Sequence, residues 1–392
     1  MNTYFCNSNL DMQKSFTSSE FKLGILGGGQ LGRMFIQEAI SYNLDVHVLD
    51  PDINAPCKDI STTFQVGSLQ DFDTVYAFGK DKDVMTIEIE HVNVDALEKL
   101  EQEGVKVFPQ PNILRMIQDK GLQKEFYASH GIPTSDYHLI ADKEEIARFR
   151  NEFPFMQKMR KGGYDGKGVT PLRNDEDVEK AFDAPSVLEK FVDFDKEISV
   201  IVSRNESGEV KSYPVVELEF NPEANLVDFL FSPANISADA ENKAREIAED
   251  LVAKTGIVGL LAVEMFLTKD GQVLVNEVAP RTHNSGHQSF EGNVTSQFEQ
   301  HLRSVLNLPL GETRITEPSV MVNLLGEKGY TGDAKYEGMA EVMAMNGVHI
   351  HLYGKKITKP FRKMGHVTVG AKTLEEAKVT AIKVKEILKV KA

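Results

Sequence analysis

Two runs rich in Val and Leu flank Asp270-Gly271 in the stretch GLLAVEMFLTKDGQVLVNEVAPRTHNSGHQS, residues 259–289. Asp-Gly accepts the positive φ of a two-residue turn, so this stretch is predicted to be a β-hairpin. Counting outward from that turn, Ala262 faces Ala279, Phe266 faces Val275 and Glu264 faces Glu277. Carboxylates directly opposite on one face would sit about 5 Å apart and repel. A cation between them removes the conflict. Mg²⁺ suits the role, because it takes one or two protein carboxylates and fills its shell with water and substrate phosphate. The plain alternative is an ordinary hairpin with both glutamates in water. The tail Pro280-Arg281-Thr282-His283-Asn284-Ser285-Gly286-His287 weighs against it. That tail crowds side-chain donors into a turn-rich loop beside the carboxylates, where an anionic substrate would need them.

At 392 residues the chain has room for roughly two or three domains, each with its own core. Its net charge of −15 argues against broad electrostatic capture of nucleic acid, while leaving room for a local basic site for a small anion. Cys6 and Cys57 provide neither a disulfide framework nor a zinc cluster and fit a reducing, cytoplasmic setting. Residues 1–20 are polar, lack an apolar leader core and read as a loose tail. The longest apolar run, 257–267, contains Glu264 and is too short and too charged to span a bilayer.

After the tail, a strand at Lys22 to Leu26 leads into Gly27-Gly28-Gly29-Gln30-Leu31-Gly32, a helix to about Tyr42 and a strand at Asp45 to Leu49. Gly27, Gly29 and Gly32 have the spacing of a dinucleotide-binding turn, and Asp50 supplies the acid further on. The pattern fits nicotinamide or flavin binding, or equally a βαβ start whose glycines only permit close packing. Further α/β units are predicted at Val84 to Ile89, Val94 to Glu103 and Val105 to Phe108. Glu88 and Glu90 end one parallel strand, where open sheets present groups to ligands; solvated edge charges are the competing reading.

Pro109 and Pro111 mark a boundary, giving an α/β domain over 21–111. One helix is then predicted from about Asn112 to Ser129, with a subdomain following over about 133–190. Within it come a helix near Lys143 to Asn151, a strand Phe155 to Arg160, the loop 161–168, a strand from Val169 and a helix at about Asp175 to Phe182. Strands Val187 to Phe191, Glu197 to Ser203 and Lys211 to Leu218 precede a long helix, Ala238 to Thr255, that feeds the hairpin. A helix at Ser296 to Leu306 closes a second domain, 112–308, at Leu308-Pro309-Leu310-Gly311. Residues 309–392 read as a small strand-rich domain ending in a helix from Leu374 with a solvated Lys-rich face.

Lys161-Gly162-Gly163-Tyr164-Asp165-Gly166-Lys167-Gly168 is the second chemical stretch. No Ser or Thr follows Lys167 and a strand comes next, so it is not a P-loop. Four glycines between two strands make a hairpin whose amides can close over phosphates, and Lys158 on the entering strand adds a point charge. A merely flexible tip has little use for Tyr164 beside Asp165.

In this order the features resemble the ATP-grasp ligases: an α/β domain, a glycine flap, a hinge Glu189-Lys190-Phe191-Val192 and a terminal carboxylate pair. GGGQLGRM (27–34), KGGYDGKG (161–168), NEVAPRTHNSGH (276–287), SQFEQHLR (296–303), LPLG (308–311) and RKMGH (362–366) are similar to the N5-carboxyaminoimidazole ribonucleotide synthetases, from about Phe21 to the last helix. The resemblance implies an ATP-grasp fold with an N-terminal Rossmann-like pre-ATP-grasp domain and a strand-rich C-terminal domain. It implies a cytoplasmic homodimer that carboxylates aminoimidazole ribonucleotide with ATP, Mg²⁺ and bicarbonate, without biotin.

By the same resemblance, Lys120 and Lys158 contact ATP phosphates and the flap Gly163, Tyr164, Asp165, Gly166, Lys167 and Gly168 covers them. The hinge Glu189 to Val192 reads adenine through backbone at Lys190 and Val192, with Glu197 on the ribose. Glu264 and Glu277, with Asn276 beside them, hold Mg²⁺. Gln30, Leu31, Glu90, Tyr164, Asp165, Asn284, Ser285 and Gly286 bind the ribonucleotide, whose phosphate meets Lys355, Arg362 and Lys363. Arg281 steadies carboxyphosphate and Asp165 orients the amine. The basic run 355–366, five Lys/Arg and no acid, supports an anion there independently. Departures from the family pattern stand at Val169, Phe220 and Gln288-Ser289. The rival readings are another ATP-grasp ligase, such as a formate-dependent glycinamide ribonucleotide transformylase, and a nicotinamide dehydrogenase built on Gly27 to Gly32.

Overall fold

Leu23–Leu26, apolar and buried along its whole length, is the central strand of a parallel sheet in the order Thr63–Val66, Val46–Asp50, Leu23–Leu26, Val84–Ile87, Lys106–Val107. The chain reverses direction of travel between Leu23–Leu26 and Val84–Ile87, and the glycine turn and Glu88 both emerge at that switch point, where open α/β sheets bind ligands. The computed structural model describes residues 14–163, 168–221, 223 and 226–392.

The next helical stretch differs from expectation. Two helices, Pro111–Ile117 and Lys120–His130, replace the single predicted one. Asp119 breaks it: its carboxylate accepts the Gly121 and Leu122 amides as an N-cap and is gripped by Arg160 through Nε (2.7 Å) and Nη2 (2.9 Å). The break turns Lys120 toward the strand Phe155–Met159, and the Lys120 amide donates to the Arg160 carbonyl. That strand lies in a four-stranded sheet with Tyr137–Ile140, Ser186–Lys190 and Val169–Leu172. The two helices predicted beside it are 3₁₀ segments, Glu144–Glu152 and Asp175–Lys180.

The large antiparallel sheet runs Val273–Ala279, Gly259–Thr268, Phe194–Arg204, Val216–Asn221, Leu226–Ser232, Ser319–Leu325, Lys363–Gly370, Val348–Leu352, with Val210–Ser212 beside Phe194–Arg204. Alternation divides its faces. Ile198, Val200, Val202, Val263 and Met265 pack on Ala244, Ile247, Ala248 and Leu251 of the helix Ala238–Thr255. Glu197, Ser199, Glu264 and Phe266 take the other face, since Ser199 pairs with Glu264 and Glu197 with Phe266. Pro214 interrupts the predicted Lys211 to Leu218 strand, which forms two. Leu226–Ser232, unforeseen, joins the strands beyond residue 318 to the same sheet through Ser319–Leu325.

Helix Gln297–Val305 anchors the first sheet to the second. Phe298 and Leu302 share a core with Phe35 and Val46, and Thr86 Oγ1 lies 2.9 Å from His301 Nε2. The final helix, Leu374–Ile387, keeps its lysines busier than a solvated face would: Lys378 lies over the Phe231 ring and Lys385 over Phe229 while bonding Asp228. Among the described residues no helix is long and apolar enough to cross a membrane.

Candidate active site

Glu264 does face Glu277, but by a different route from a two-residue turn. The Thr268 amide donates to the Gln272 carbonyl and the Gly271 amide to the Thr268 carbonyl, so the turn spends three residues, with Gly271 left-handed at φ 81°. Phe266 therefore pairs with Leu274, not Val275, and Met265 takes Val275. A bulge at Asn276 then absorbs one residue and brings Glu277 opposite Glu264 and Ala279 opposite Ala262. The bulge lets two consecutive side chains serve the same place. Asn276 Oδ1 accepts from Lys158 Nζ (2.9 Å), and Glu277 Oε1 from Lys120 Nζ (2.6 Å).

The two carboxyls are in opposite electrostatic states. Burial, with Glu277 and Glu197 nearby, pushes the Glu264 pKa up to about 8. Partial desolvation pushes Glu277 upward although solvent still reaches 48% of its side chain, but Lys120 and Lys158 outweigh it and hold that carboxyl below the usual range. Lys120 is the first residue of its helix, a poor place for a cation against the helix dipole; the Glu277 carboxylate offsets this.

Lys158 also reaches Glu189 Oε2 at 3.1 Å, and Glu189 is almost wholly buried. Lys124 Nζ lies 3.4 Å from the same oxygen and donates to Thr134 Oγ1 and Ser135 Oγ, and Ser135 bonds Glu189 in turn. Burial lowers the Lys124 pKa to about 8. The sequence reading missed Lys124 and Ser135; the available signal was that Lys124 falls one helical turn after Lys120. At the hinge, the Lys190 amide donates to the Asp136 carbonyl, Phe191 is exposed and Val192 half-buried. Glu197 is pushed up to about 7 by burial.

The loop after the hairpin forms the opposite wall. Arg281 grips Glu90 through Nε (2.5 Å) and Nη2 (3.1 Å), and, against the burial that would raise it, the guanidinium holds the Glu90 pKa at about 2. His283, kept neutral by burial and by Arg281 and Lys363 (pKa about 3), accepts the Ser285 amide at Nδ1. Its Nε2 therefore carries the proton and lies 3.8 Å from Glu264. Ser285 accepts from Ser199 Oγ at 2.9 Å. Asn284 and Asn323 bond each other's amides. Lys355 Nζ donates to the Lys363 carbonyl and Arg362 Nη1 to the Ile357 carbonyl, so two of the three predicted phosphate cations also brace their own loop.

Gln30 and Leu31 open the first helix, beside the glycine turn. The turn carries its own carboxylates: Gly28 donates to Asp50 Oδ2 (2.6 Å), and Gly29 and Gly32 donate to Glu88 (2.5 and 2.7 Å). Three of the turn's amides are thus already bonded within the chain, which counts against the nicotinamide reading. Gly163 and Gly168 flank the flap, whose tip residues Tyr164, Asp165, Gly166 and Lys167 lie outside the described residues. The departures fall on a strand start (Val169), a half-buried strand position (Phe220) and a buried loop residue (Gln288).

The donors present suit Mg²⁺: two facing carboxyls, one of them held above its usual range by burial and by the other's charge, with Lys120 and Lys158 beside them. Among the described residues no group of three or more His, Cys, Asp or Glu could hold a metal.

Three family descriptions match consecutive parts of the chain: a ribonucleotide synthetase preATP-grasp domain (21–118), an ATP-grasp domain (125–298) and a phosphoribosylaminoimidazole carboxylase C-terminal domain (319–380). The chain is 40% identical over 364 residues to the chloroplastic phosphoribosylaminoimidazole carboxylase of Vigna aconitifolia, covering 91% of this chain and 65% of that protein; it thus spans just under two thirds of that relative's length. The crystal structure of N5-carboxyaminoimidazole ribonucleotide synthetase from Thermotoga maritima superposes with a TM-score of 0.88 at 45% identity, covering 95% of this chain and 99% of that one. The Aspergillus clavatus N5-carboxyaminoimidazole synthase in complex with ADP and 5-aminoimidazole ribonucleotide gives 0.85 at 36% identity, covering 94% and 99%.

Proposed function

The chain belongs to the N5-carboxyaminoimidazole ribonucleotide synthetase family, and on that premise we propose that it carboxylates the exocyclic amine of 5-aminoimidazole ribonucleotide with ATP and bicarbonate. The observation that carries this reading is the Glu264/Glu277 pair set against Lys120 and Lys158, facing the wall of Arg281 to Gly286. A bicarbonate oxygen attacks the γ-phosphorus of ATP, ADP leaves, and the carboxyphosphate so formed gives its carboxyl to the amine as phosphate and a proton depart.

Lys120 and Lys158 supply fixed positive charge where the phosphoryl group moves, so the first step is chiefly positioning and charge neutralisation. Glu264 and Glu277 would hold Mg²⁺, with Asn276 beside them. When bound there, Mg²⁺ neutralises charge on the ATP phosphates. The hinge at Lys190 and Val192 takes adenine and Glu197 the ribose hydroxyls. Arg281, drawn from Glu90, steadies the carboxyphosphate. The flap excludes water from that hydrolysable intermediate, and Asp165 orients the amine and accepts its proton. Gln30, Leu31, Glu90 and the Asn284 to Gly286 segment bind the ribonucleotide, with its 5′-phosphate on Lys355, Arg362 and Lys363.

Phosphate release is the test, measured with ATP and bicarbonate, with and without 5-aminoimidazole ribonucleotide. Stimulation by that nucleotide is expected. Equal release without it, or stimulation by glycinamide ribonucleotide and formate instead, would replace this reading with another ATP-grasp ligase.

A further inference from the structure

The chain leaving strand Val84–Ile87 ties three walls together. Thr86 meets His301 of helix Gln297–Val305, Glu90 grips Arg281, and between them Glu88 enters the glycine turn. One Glu88 oxygen accepts the Gly29 amide and the other the Gly32 amide. Neither donor has a partner within the helix Gln30–Ser41, because both stand at its N-terminal end. The fit is close: a Cβ on Gly29 would fall 2.5 Å from Glu88 Oε1, and one on Gly27 2.5 Å from Glu88 Cγ. The carboxylate thus occupies the position that a bound anion takes at a helix start.

We propose that Glu88 is a positioning residue for the ribonucleotide: its carboxylate locks the glycine turn that presents Gln30 and Leu31, in register with the Arg281 wall that Glu90 holds two residues on. This rests on the function proposed above. It also assigns the substrate phosphate elsewhere, to the basic run at 355–363, since the turn already holds its anion.

Glu88→Gln keeps the volume but points an NH₂ at one of two amide donors. The expected result is a KM for the ribonucleotide raised about 10-fold or more, with KM for ATP unchanged and kcat altered far less. Glu88→Ala removes one methylene and one carboxylate, the size of acetate, so added acetate should restore part of the lost ribonucleotide affinity. Hydrogen exchange on the wild-type protein needs no variant: the Gly29 and Gly32 amides should be protected although no helical carbonyl serves them. Free exchange at both, an unchanged KM in Glu88→Gln, or equal loss for ATP and ribonucleotide would overturn the proposal. Wild-type protein that ignores the ribonucleotide would overturn the functional reading instead.

Discussion

Glu264 and Glu277 face each other across one hairpin, yet their carboxyls are driven apart in pKa: Lys120 and Lys158 claim Glu277, and Glu264 is left to burial and like charge. The metal-free protein therefore carries a proton on Glu264 that the unfolded chain has released between about pH 4.5 and 8. The folded state binds more protons in that window, so this group's contribution to stability falls as pH rises through it, by up to roughly 1 kcal/mol per pH unit. Melting in chelator from pH 5 to 8 should show the decline, and Glu264→Gln should flatten it. Mg²⁺ binding should release a proton below pH 8 and tighten with rising pH; calorimetry in buffers of different ionisation enthalpy would detect the proton. A melting profile identical in wild type and Glu264→Gln would refute the assignment.

Glu277→Ala removes one of the two carboxylates proposed to hold Mg²⁺, and the partner of Lys120. Phosphate release should drop by roughly 100-fold or more, because charge on the moving phosphoryl group goes uncompensated. The fold should survive, since solvent reaches 48% of that side chain. Near-normal ATP turnover would sink the metal role of the hairpin.

How legible the site was depends on what kind of information placed each residue. Asp270-Gly271 announced the hairpin, and the alternation of Ala262, Glu264 and Phe266 gave the face. The extra turn residue and the bulge at Asn276 were not legible, because both depend on pairing to the neighbouring strand; they cancel beyond Met265, which is why the Glu264–Glu277 pairing holds while Phe266–Val275 fails. The helix break at Asp119 was hidden for a similar reason: Arg160, distant in sequence, makes the cap worth more than helix continuity. Glu88 and Glu90 were visible as strand-end acids, but their partners, the glycine amides and Arg281, meet them only at the sheet's switch point. Lys158 was legible from its place on the strand entering the glycine loop, and Lys120 only through the family resemblance; Lys124 was not, because its setting comes from burial beside Glu189.

Asn276 shares Lys158 with Glu189. Asn276→Ala should leave Lys158 without its hydrogen-bond acceptor on this strand and shift it toward Glu189, away from the proposed phosphate position. About a 10-fold rise in KM for ATP is expected, with melting temperature nearly unchanged, as the asparagine is only half-buried. Unaltered ATP kinetics would mean that the bulge serves the strand and not the lysine.

Asp165→Asn keeps the side chain's size and removes the carboxylate proposed to take the amine proton. Carboxylation of the amine should fall much more than ATP affinity, leaving bicarbonate-dependent ATP turnover that no longer yields product. Full turnover with unchanged nucleotide affinity would exclude Asp165 from proton transfer.

Gly286 tests the ribonucleotide wall. A Cβ there would stand 2.4 Å from Ile201 Cδ1 and 2.6 Å from the Gln297 carboxamide. Gln297 cannot withdraw cheaply, because it accepts the His283 amide and donates to the His283 carbonyl. The backbone at Gly286 is not left-handed, so any penalty comes from packing and not from φ. Gly286→Ala should destabilise the fold by about 1–3 kcal/mol and displace Asn284 and Ser285 with it. Raised KM for the ribonucleotide with KM for ATP held is the kinetic signature. A variant that melts with the wild type and binds both substrates normally would show that the Asn284 to Gly286 segment has slack, and would remove it from the substrate wall.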